Sequence, residues 1–368
     1  MDTEPSSNGS FELPVLEVIE ETRDACSVVL DVPPEARGHF GYRPGQFLTV
    51  AVPSDRTGIT ARCYSLSSSP ELGGPLKISV KRTADGYASN WICDRLRPGD
   101  RLRVLPPSGI FTPASLDHDL LLFAGGSGVT PIMSIARSAL ASGSGRIVVL
   151  YANRDQDSVI FAREWAELAA DHPERLLVVH WLESVQGLPT QAQLKAFAAR
   201  WSSYDAFVCG PAPFMKATIA ALRELEFPRE RRHQEKFVSL GGNPFGDLEE
   251  AAAAESEIEA AETDEQDAAE DAALPHESVR LEVELDGEQH CFDDWRPGTK
   301  LLDHLESKGL KAPFSCRLGE CSACAIRLVE GEVKMLNNDV LEDEDLADGI
   351  RLACQSVPVT DRVVISYE

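Results

Sequence analysis

The chain has 368 residues, more than one hydrophobic core usually supports, so two or three domains are expected. Its 43% hydrophobic and 26% charged residues are ordinary for a soluble globular protein, and no apolar run approaches the ~18 residues needed to cross a bilayer. A formal net charge of −25 argues against nucleic acid as a partner, and the acidic start MDTEPSSNGSFELP lacks the basic and apolar regions of a secretory signal, so the expected location is cytoplasmic.

Residues 11 to 112 hold short strand-like runs separated by turns: YRPGQFLTVAVP, LKISVKR and RPGDRLRVLPPSGIF. This punctuation predicts an antiparallel β-barrel, assigned to residues 11–115. One strand carries Arg62-Cys63-Tyr64-Ser65, and further on Val80-Lys81-Arg82 precedes Gly86-Tyr87-Ala88-Ser89. Taken alone, RCYS fits any strand.

From Asp119 onward the pattern changes. LLLFA, IVVLYA, LLVVHW and AFVCG read as buried strands, and PIMSIARSALA, FAREWAELAA, TQAQLKAFAARW and PFMKATIAALRELE as helices between and after them. Such alternation predicts a parallel sheet with helices on both faces, assigned to residues 116–240. The first strand runs into GGSGVTP, residues 125 to 131, where Gly125, Gly126 and Gly128 permit a tight turn and Pro131 suits the first helical position. A helix start of this kind offers free N–H groups to a phosphate. The pattern G-x-G-x-x-G is not met, because Pro131 stands where the third glycine would be. An ordinary strand-to-helix turn therefore stays open on this evidence. Strand AFVCG ends in Cys209-Gly210-Pro211, at the edge where open α/β sheets bind ligands; a small buried core cysteine is the other reading.

Residues 241–277 read as a solvated acidic linker. Between Asp247 and Glu277 there are thirteen Asp and Glu and no Lys or Arg, in a background of Ala. Like charges extend such a chain.

In residues 278–368, VRLEVELDGEQHCF alternates around Asp286-Gly287 as a hairpin, KLLDHLESKG reads as a helix stopped by Gly309, and AIRLVEGEVKM as a second hairpin. Between them lies PFSCRLGECSACA. Cys316, Cys321 and Cys324 have the spacing C-x4-C-x2-C, and Cys354 follows in RLACQS. Four cysteines so spaced point to a plant-type [2Fe–2S] cluster. Gly319, Ser322 and Ala323 let backbone N–H groups approach the thiolates, and Arg317 adds a positive charge. A zinc ribbon would pair two C-x2-C units, and only one is present. The other five of the nine cysteines, Cys26, Cys63, Cys93, Cys209 and Cys291, are scattered singly and do not suggest a disulfide scaffold.

Together, RCYS, the GYAS segment, GGSGVTP and CGP resemble the ferredoxin–NADP reductase superfamily, and the C-terminal block resembles the β-grasp fold of plant-type ferredoxins. The combination resembles oxygenase reductases. ARCYSLSSSP, VKRTADGYASNW, YANRDQDSVIF and PFSCRLGECSACA are most similar to the reductase components of 3-ketosteroid 9α-hydroxylases, which serve a separate Rieske-type oxygenase. The resemblance implies that FAD is held by Arg62 on its pyrophosphate, Tyr64 against its isoalloxazine ring and Ser65 near its reactive nitrogen. Val80 and Lys81 would belong to a second flavin segment, with Gly86, Tyr87, Ala88 and Ser89 around the phosphates and Phe237 beside the ring. The loop with Gly125, Gly126, Gly128 and Pro131 would lie under the nicotinamide dinucleotide's pyrophosphate. Thr130 and Cys209, the latter in the Cys209-Gly210-Pro211 motif, would lie against the nicotinamide. Ser65, Thr130 and Cys209 are the candidate catalytic residues.

The implied route runs from NADH to FAD to [2Fe–2S] to the oxygenase, because hydride carries two electrons, a cluster accepts one, and flavin can hold either. Arg154 is followed by Asp155 and Asp157, a mixed charge that favours NADH over NADPH. The reductase of phenylacetyl-CoA epoxidase is a rival with the same motifs. A non-catalytic iron–sulfur redox sensor is a rival of another class, and a flavin reductase releasing free reduced flavin is a third.

Overall fold

The first hundred residues fold as a six-stranded antiparallel sheet. Its strands are β1 (Phe11–Thr22), β2 (Ala25–Leu30), β3 (Phe47–Ser54), β4 (Gly58–Ser65), β5 (Leu76–Lys81) and β6 (Arg101–Val104), in the order β4-β3-β6-β1-β2-β5. A bridge between Leu66 and Ile78 joins the two outer strands, so the sheet curls into a barrel. Val28, Leu30, Leu48, Val50, Val52, Ile78 and Val104 fill its interior. Helix α1 (Tyr87–Arg95) lies against it through Ala88 and Ile92. The computed structural model describes residues 9–54, 58–84, 86–237, 244–245, 278–285 and 287–367. All but residues 244 and 245 of the segment expected as a linker, 241–277, lie outside these.

The second sheet is parallel, in the order β11-β10-β7-β8-β9. It comprises β7 (Leu120–Gly125), β8 (Ile147–Asn153), β9 (Leu176–Leu182), β10 (Asp205–Cys209) and β11 (Arg232–Glu235). Helices α2 (Val129–Ser142), α3 (Ala162–Asp171), α4 (Glu183–Gln186), α5 (Gln191–Ala198) and α6 (Ala212–Glu224) connect them. The unbroken apolar run of β7 is divided between two cores by strand alternation. Leu120, Leu122 and Ala124 pack with Ile132, Met133 and Trp165 on one face; Leu121 and Phe123 pack with Leu194, Met215 and Leu222 on the other. Two expectations need correction. LLVVHW is an edge strand with one side open, Leu177 being 47% exposed. Pro131 is the third residue of α2, where its missing N–H still costs no intrahelical bond.

The third sheet has the order β13-β12-β18-β14-β16. Here β12 is Val279–Leu285, β13 Glu288–Trp295, β14 Ala325–Glu330, β16 Ile350–Leu352 and β18 Arg362–Ser366. Strands β12 and β18 are parallel, and β12–β13 is the expected hairpin. Helix α7 (Leu301–Ser307) buries Leu301, Leu302 and Leu305 with Leu281, Val283 and Val363. Helix α8 (Asp343–Ala347) precedes β16. The second expected hairpin does not form. Both edges of β14 are taken, by β18 and β16, so β15 (Val333–Met335) pairs instead with β17 (Ser356–Pro358).

The described residues group into two compact units, one of Phe11–Pro107 with Phe111–Phe237, the other built mainly on residues 278–367.

Candidate functional site

In the barrel, Arg62 and Tyr64 are two apart on β4 and share one face of the strand. They are close enough for the Arg62 charge to act on the Tyr64 hydroxyl, whose titration is nonetheless pushed up by burial. Ser65 ends the strand and is buried. Val80 is a core residue, and Lys81 is the last residue of β5. The turn into α1 is braced by Ser89, whose Oγ accepts from the Thr83 N–H at 3.0 Å, and by Asn90, whose amide donates to the Thr83 and Gly86 carbonyls. Gly86 is the N-cap of α1, so its free N–H groups stand beside Tyr87, Ala88 and Ser89. The Tyr87 hydroxyl donates to the Pro53 carbonyl at 2.8 Å. Phe237 lies just past β11 and is 51% exposed.

The glycine-rich turn and the end of β10 come together at the strand-order switch, where β7 and β10 are neighbours. Gly125 closes β7, Gly126 takes the left-handed region at φ 53°, and Gly128 precedes α2. A Cβ on Gly128 would stand 2.3 Å from the Cys209 carbonyl oxygen and 2.6 Å from the Gly210 nitrogen, so the turn lies directly on the Cys209-Gly210 backbone. The space at Gly126 is open and faces the Lys81 ammonium, 3.7 Å from where a Cβ would be. Within 4 Å of that position the Lys81 ammonium is the nearest group outside the turn. Thr130 is buried, its hydroxyl donating to the Ser127 carbonyl at 3.1 Å. The Cys209 thiol is wholly buried among Leu122, Ala124 and Val129 and is pushed up by that burial; Cys209 meets the turn with its backbone.

Three contributors escaped sequence reasoning. Tyr151 is fully buried and donates to the Gly126 carbonyl at 3.2 Å, steadying the turn from beneath. Glu235 pairs in register with Cys209, and desolvation pushes its carboxyl up to about 8. Asp24, between β1 and β2, accepts from Arg154 at 2.6 Å and lies 3.9 Å from Lys81. Burial opposes ionisation of Asp24, but the Thr22 hydroxyl, Lys81 and Arg154 outweigh it and hold the carboxyl low. The sequence offered no signal for Asp24, 130 residues from Arg154.

In the C-terminal unit, Cys316, Cys321, Cys324 and Cys354 are all buried and none is in a disulfide. The loop carries left-handed backbone at Arg317, Gly319 and Ser322, which turns successive N–H groups toward sulfur. Leu318 and Glu320 donate to the Cys316 sulfur at 3.4 and 3.3 Å, Cys316 to the Cys321 sulfur at 3.3 Å, and Cys354 to the Cys324 sulfur at 3.5 Å. Cys321 and Cys354, followed by those backbone donors, hold the Cys316 thiol well below its ordinary range. Gly319 has no room for a side chain, since a Cβ would meet the Asn337 carbonyl oxygen at 2.8 Å. Arg317 turns to Asp303 and Glu306 on α7, so its charge is paired away from the sulfurs. Among the described residues no three thiols, imidazoles or carboxylates converge as ligands of one ion; a two-iron cluster shares four thiolates between two metals, and four buried sulfurs, those of Cys316, Cys321 and Cys324 accepting backbone N–H groups, fit that demand.

Family models for an oxidoreductase FAD-binding domain, an oxidoreductase NAD-binding domain and a 2Fe-2S iron-sulfur cluster binding domain match residues 12–112, 122–219 and 283–359. The ferredoxin reductase component of 3-ketosteroid-9-alpha-monooxygenase from Rhodococcus rhodochrous is 51% identical over 99% of this chain and 98% of its own length. The chain belongs to that family. A component of the 1,2-phenylacetyl-CoA epoxidase of Escherichia coli is 29% identical over 97% of both chains. The solved phthalate dioxygenase reductase matches with a TM-score of 0.55 and 23% identity, covering 99% of this chain and 100% of its own, a likeness of fold. This family member is thus an oxidoreductase with FAD, NAD and [2Fe–2S] domains, working as the reductase component of an oxygenase. No described helix is long and apolar enough to cross a membrane.

Proposed function

We propose that the chain takes hydride from NADH and feeds single electrons to a Rieske-type oxygenase that hydroxylates a 3-ketosteroid, and that it works in the cytoplasm. When bound, FAD receives the two electrons together and the cluster passes them on one at a time. The remaining work belongs to side chains. Arg62 offers a planar pair of donors to the flavin pyrophosphate, and the first turn of α1 offers the N–H groups of Tyr87, Ala88 and Ser89. Tyr64 gives the ring a flat apolar support, and Ser65 a hydroxyl near its reactive edge. The open cradle at Gly126, the start of α2 at Thr130 and Pro131, and the Lys81 ammonium receive the dinucleotide pyrophosphate. Gly128, interlocked with Cys209 and Gly210, brings this turn against the strand end where the nicotinamide is presented, with Pro211 opening α6 behind it. Cys316, Cys321, Cys324 and Cys354 hold the cluster.

The observation that carries the reading is a set of four buried cysteines, three on one loop with sulfurs that accept backbone N–H groups, on the same chain as matches to an NAD-binding and an FAD-binding domain. NADH is favoured because Arg154, the cation placed to meet a 2′-phosphate, is already paired with Asp24. The steroid assignment rests on 51% identity to a steroid reductase component against 29% to the epoxidase component. The test is reconstitution with purified terminal oxygenases. NADH-dependent product should form with a 3-ketosteroid oxygenase; support of the aromatic-thioester enzyme alone would overturn the assignment.

A further inference from the structure

Two of the scattered cysteines meet inside the flavin barrel. Cys26 lies on β2, where it pairs in register with Val80 of β5, and Cys93 lies on α1, about one turn after the segment proposed for the flavin phosphates. The Cys26 thiol donates to the Cys93 sulfur across 3.1 Å, and the Cys93 sulfur also lies 3.8 Å from the Val80 carbonyl. The two residues are 67 apart in sequence, so only the fold joins them. Cys26 is 6% exposed, whereas Cys93 is half-buried. Both sulfurs are near enough to Tyr64 to act on its hydroxyl electrostatically, which puts the pair beside the proposed flavin platform.

We propose that Cys26 and Cys93 are a hydroperoxide-reactive dithiol that closes reversibly to a disulfide at the base of the flavin site. The sulfurs need to approach by about 1 Å, from 3.1 Å to the ~2.05 Å of an S–S bond. The pair is chemically asymmetric, as such a step requires. The hydrogen bond from Cys26 holds the Cys93 thiol low, with the Arg82 charge adding to it, and the same bond holds Cys26 protonated. The oxidant is hydrogen peroxide, formed whenever a reduced flavoprotein meets dioxygen. The Cys93 thiolate attacks one peroxide oxygen, the O–O bond breaks, and the departing oxygen takes a proton and leaves as water. The Cys26 sulfur then loses its proton and attacks the Cys93 sulfenic sulfur, the S–O bond breaks, and the hydroxide takes that proton as a second water. Two thiols lose two electrons and two protons, and one peroxide becomes two waters. The location beside the flavin rests on the proposed flavin reading; the disulfide chemistry does not.

The test uses the whole flavin- and cluster-loaded protein. It is treated with a few equivalents of hydrogen peroxide, alkylated under denaturing conditions, digested and analysed by mass spectrometry, while visible absorbance follows the cluster. A peptide linking Cys26 to Cys93 should appear before the cluster bleaches, vanish with dithiothreitol, and be absent from Cys93→Ser, with exposed Cys291 as the control for labelling. In Cys26→Ser, alkylation of Cys93 at neutral pH should slow at least threefold, and peroxide should drive Cys93 to its sulfinic acid. Both cysteines still fully alkylatable after the cluster has bleached would overturn the proposal, as would sulfinic Cys93 in the wild type with Cys26 untouched. Loss of flavin from the purified protein with the linked peptide still forming would sink the flavin placement alone.

Discussion

Glu235 should make the nucleotide-binding unit lose stability in mild alkali. It is only partly covered as a residue, but its carboxyl is desolvated at the end of β11, and burial pushes it up to about 8 from an ordinary 4.5. The folded chain therefore keeps a proton that the unfolded chain has released. Stability from this group is complete below about pH 4.5 and is lost as the pH rises through 8. At ~1.4 kcal/mol per tenfold change in proton activity, the whole gap is worth about 5 kcal/mol, of which about 2.5 kcal/mol falls between pH 6 and 9. Glu235→Gln keeps the shape and the hydrogen-bonding capacity and cannot ionise. Denaturant unfolding followed by tryptophan fluorescence at pH 6, 7.5 and 9 should show the variant gaining about 2.5 kcal/mol on the wild type across that range. A difference that stays flat within about 0.5 kcal/mol would refute a desolvated carboxyl at this strand end.

Gly128→Ala should damage nicotinamide use through space alone, because its backbone is ordinary αR and the new methyl would meet the Cys209 carbonyl at 2.3 Å. A steric cost of about 1–3 kcal/mol should raise KM for NADH roughly tenfold with FAD content unchanged; an unaltered KM contradicts the interlock. Asp24→Asn should free Arg154 and Lys81 beside the proposed dinucleotide cradle. Each charge contact near 4 Å in a wet site is worth about 1 kcal/mol, so the NADPH to NADH ratio of kcat/KM should rise about tenfold; an unchanged ratio would show that Asp24 does not mask this cation.

What could be read from the sequence was whatever local chemistry fixes. A two-iron cluster dictates residue type and spacing, so the pattern of Cys316, Cys321, Cys324 and Cys354 stands out in the sequence, and the structure buries all four. Strands buried on both faces leave unbroken apolar runs, so β7, β8 and β10 were visible as well. Strand β11 was not, because Arg-His-Gln-Glu has no apolar residue and is held by backbone pairing to β10. The AIRLVEGEVKM hairpin failed because its local pattern is indifferent to which neighbour a strand takes. The partners of charges were equally hidden: Arg154 turns to a carboxylate 130 residues away, and Arg317 to a helix rather than to the sulfurs beside it.

The packing of the glycine turn on the end of β10 shows how two local sequence signals are joined by the fold. GGSGVTP alone permits an ordinary turn, and Cys209-Gly210-Pro211 alone permits a core cysteine; the structure in fact buries that thiol. Their connection is steric. Parallel pairing sets Cys209 opposite Ala124, one residue before the turn begins, and this leaves no volume at Gly128 for anything larger than hydrogen. Gly210 meets Gly125 just as closely, a Cβ there standing 2.9 Å from the Gly125 Cα. Small residues on the two segments, more than 80 positions apart, are thus answers to a single packing problem. Enlarging either side alone should fail in the same way, which independent motifs would not do.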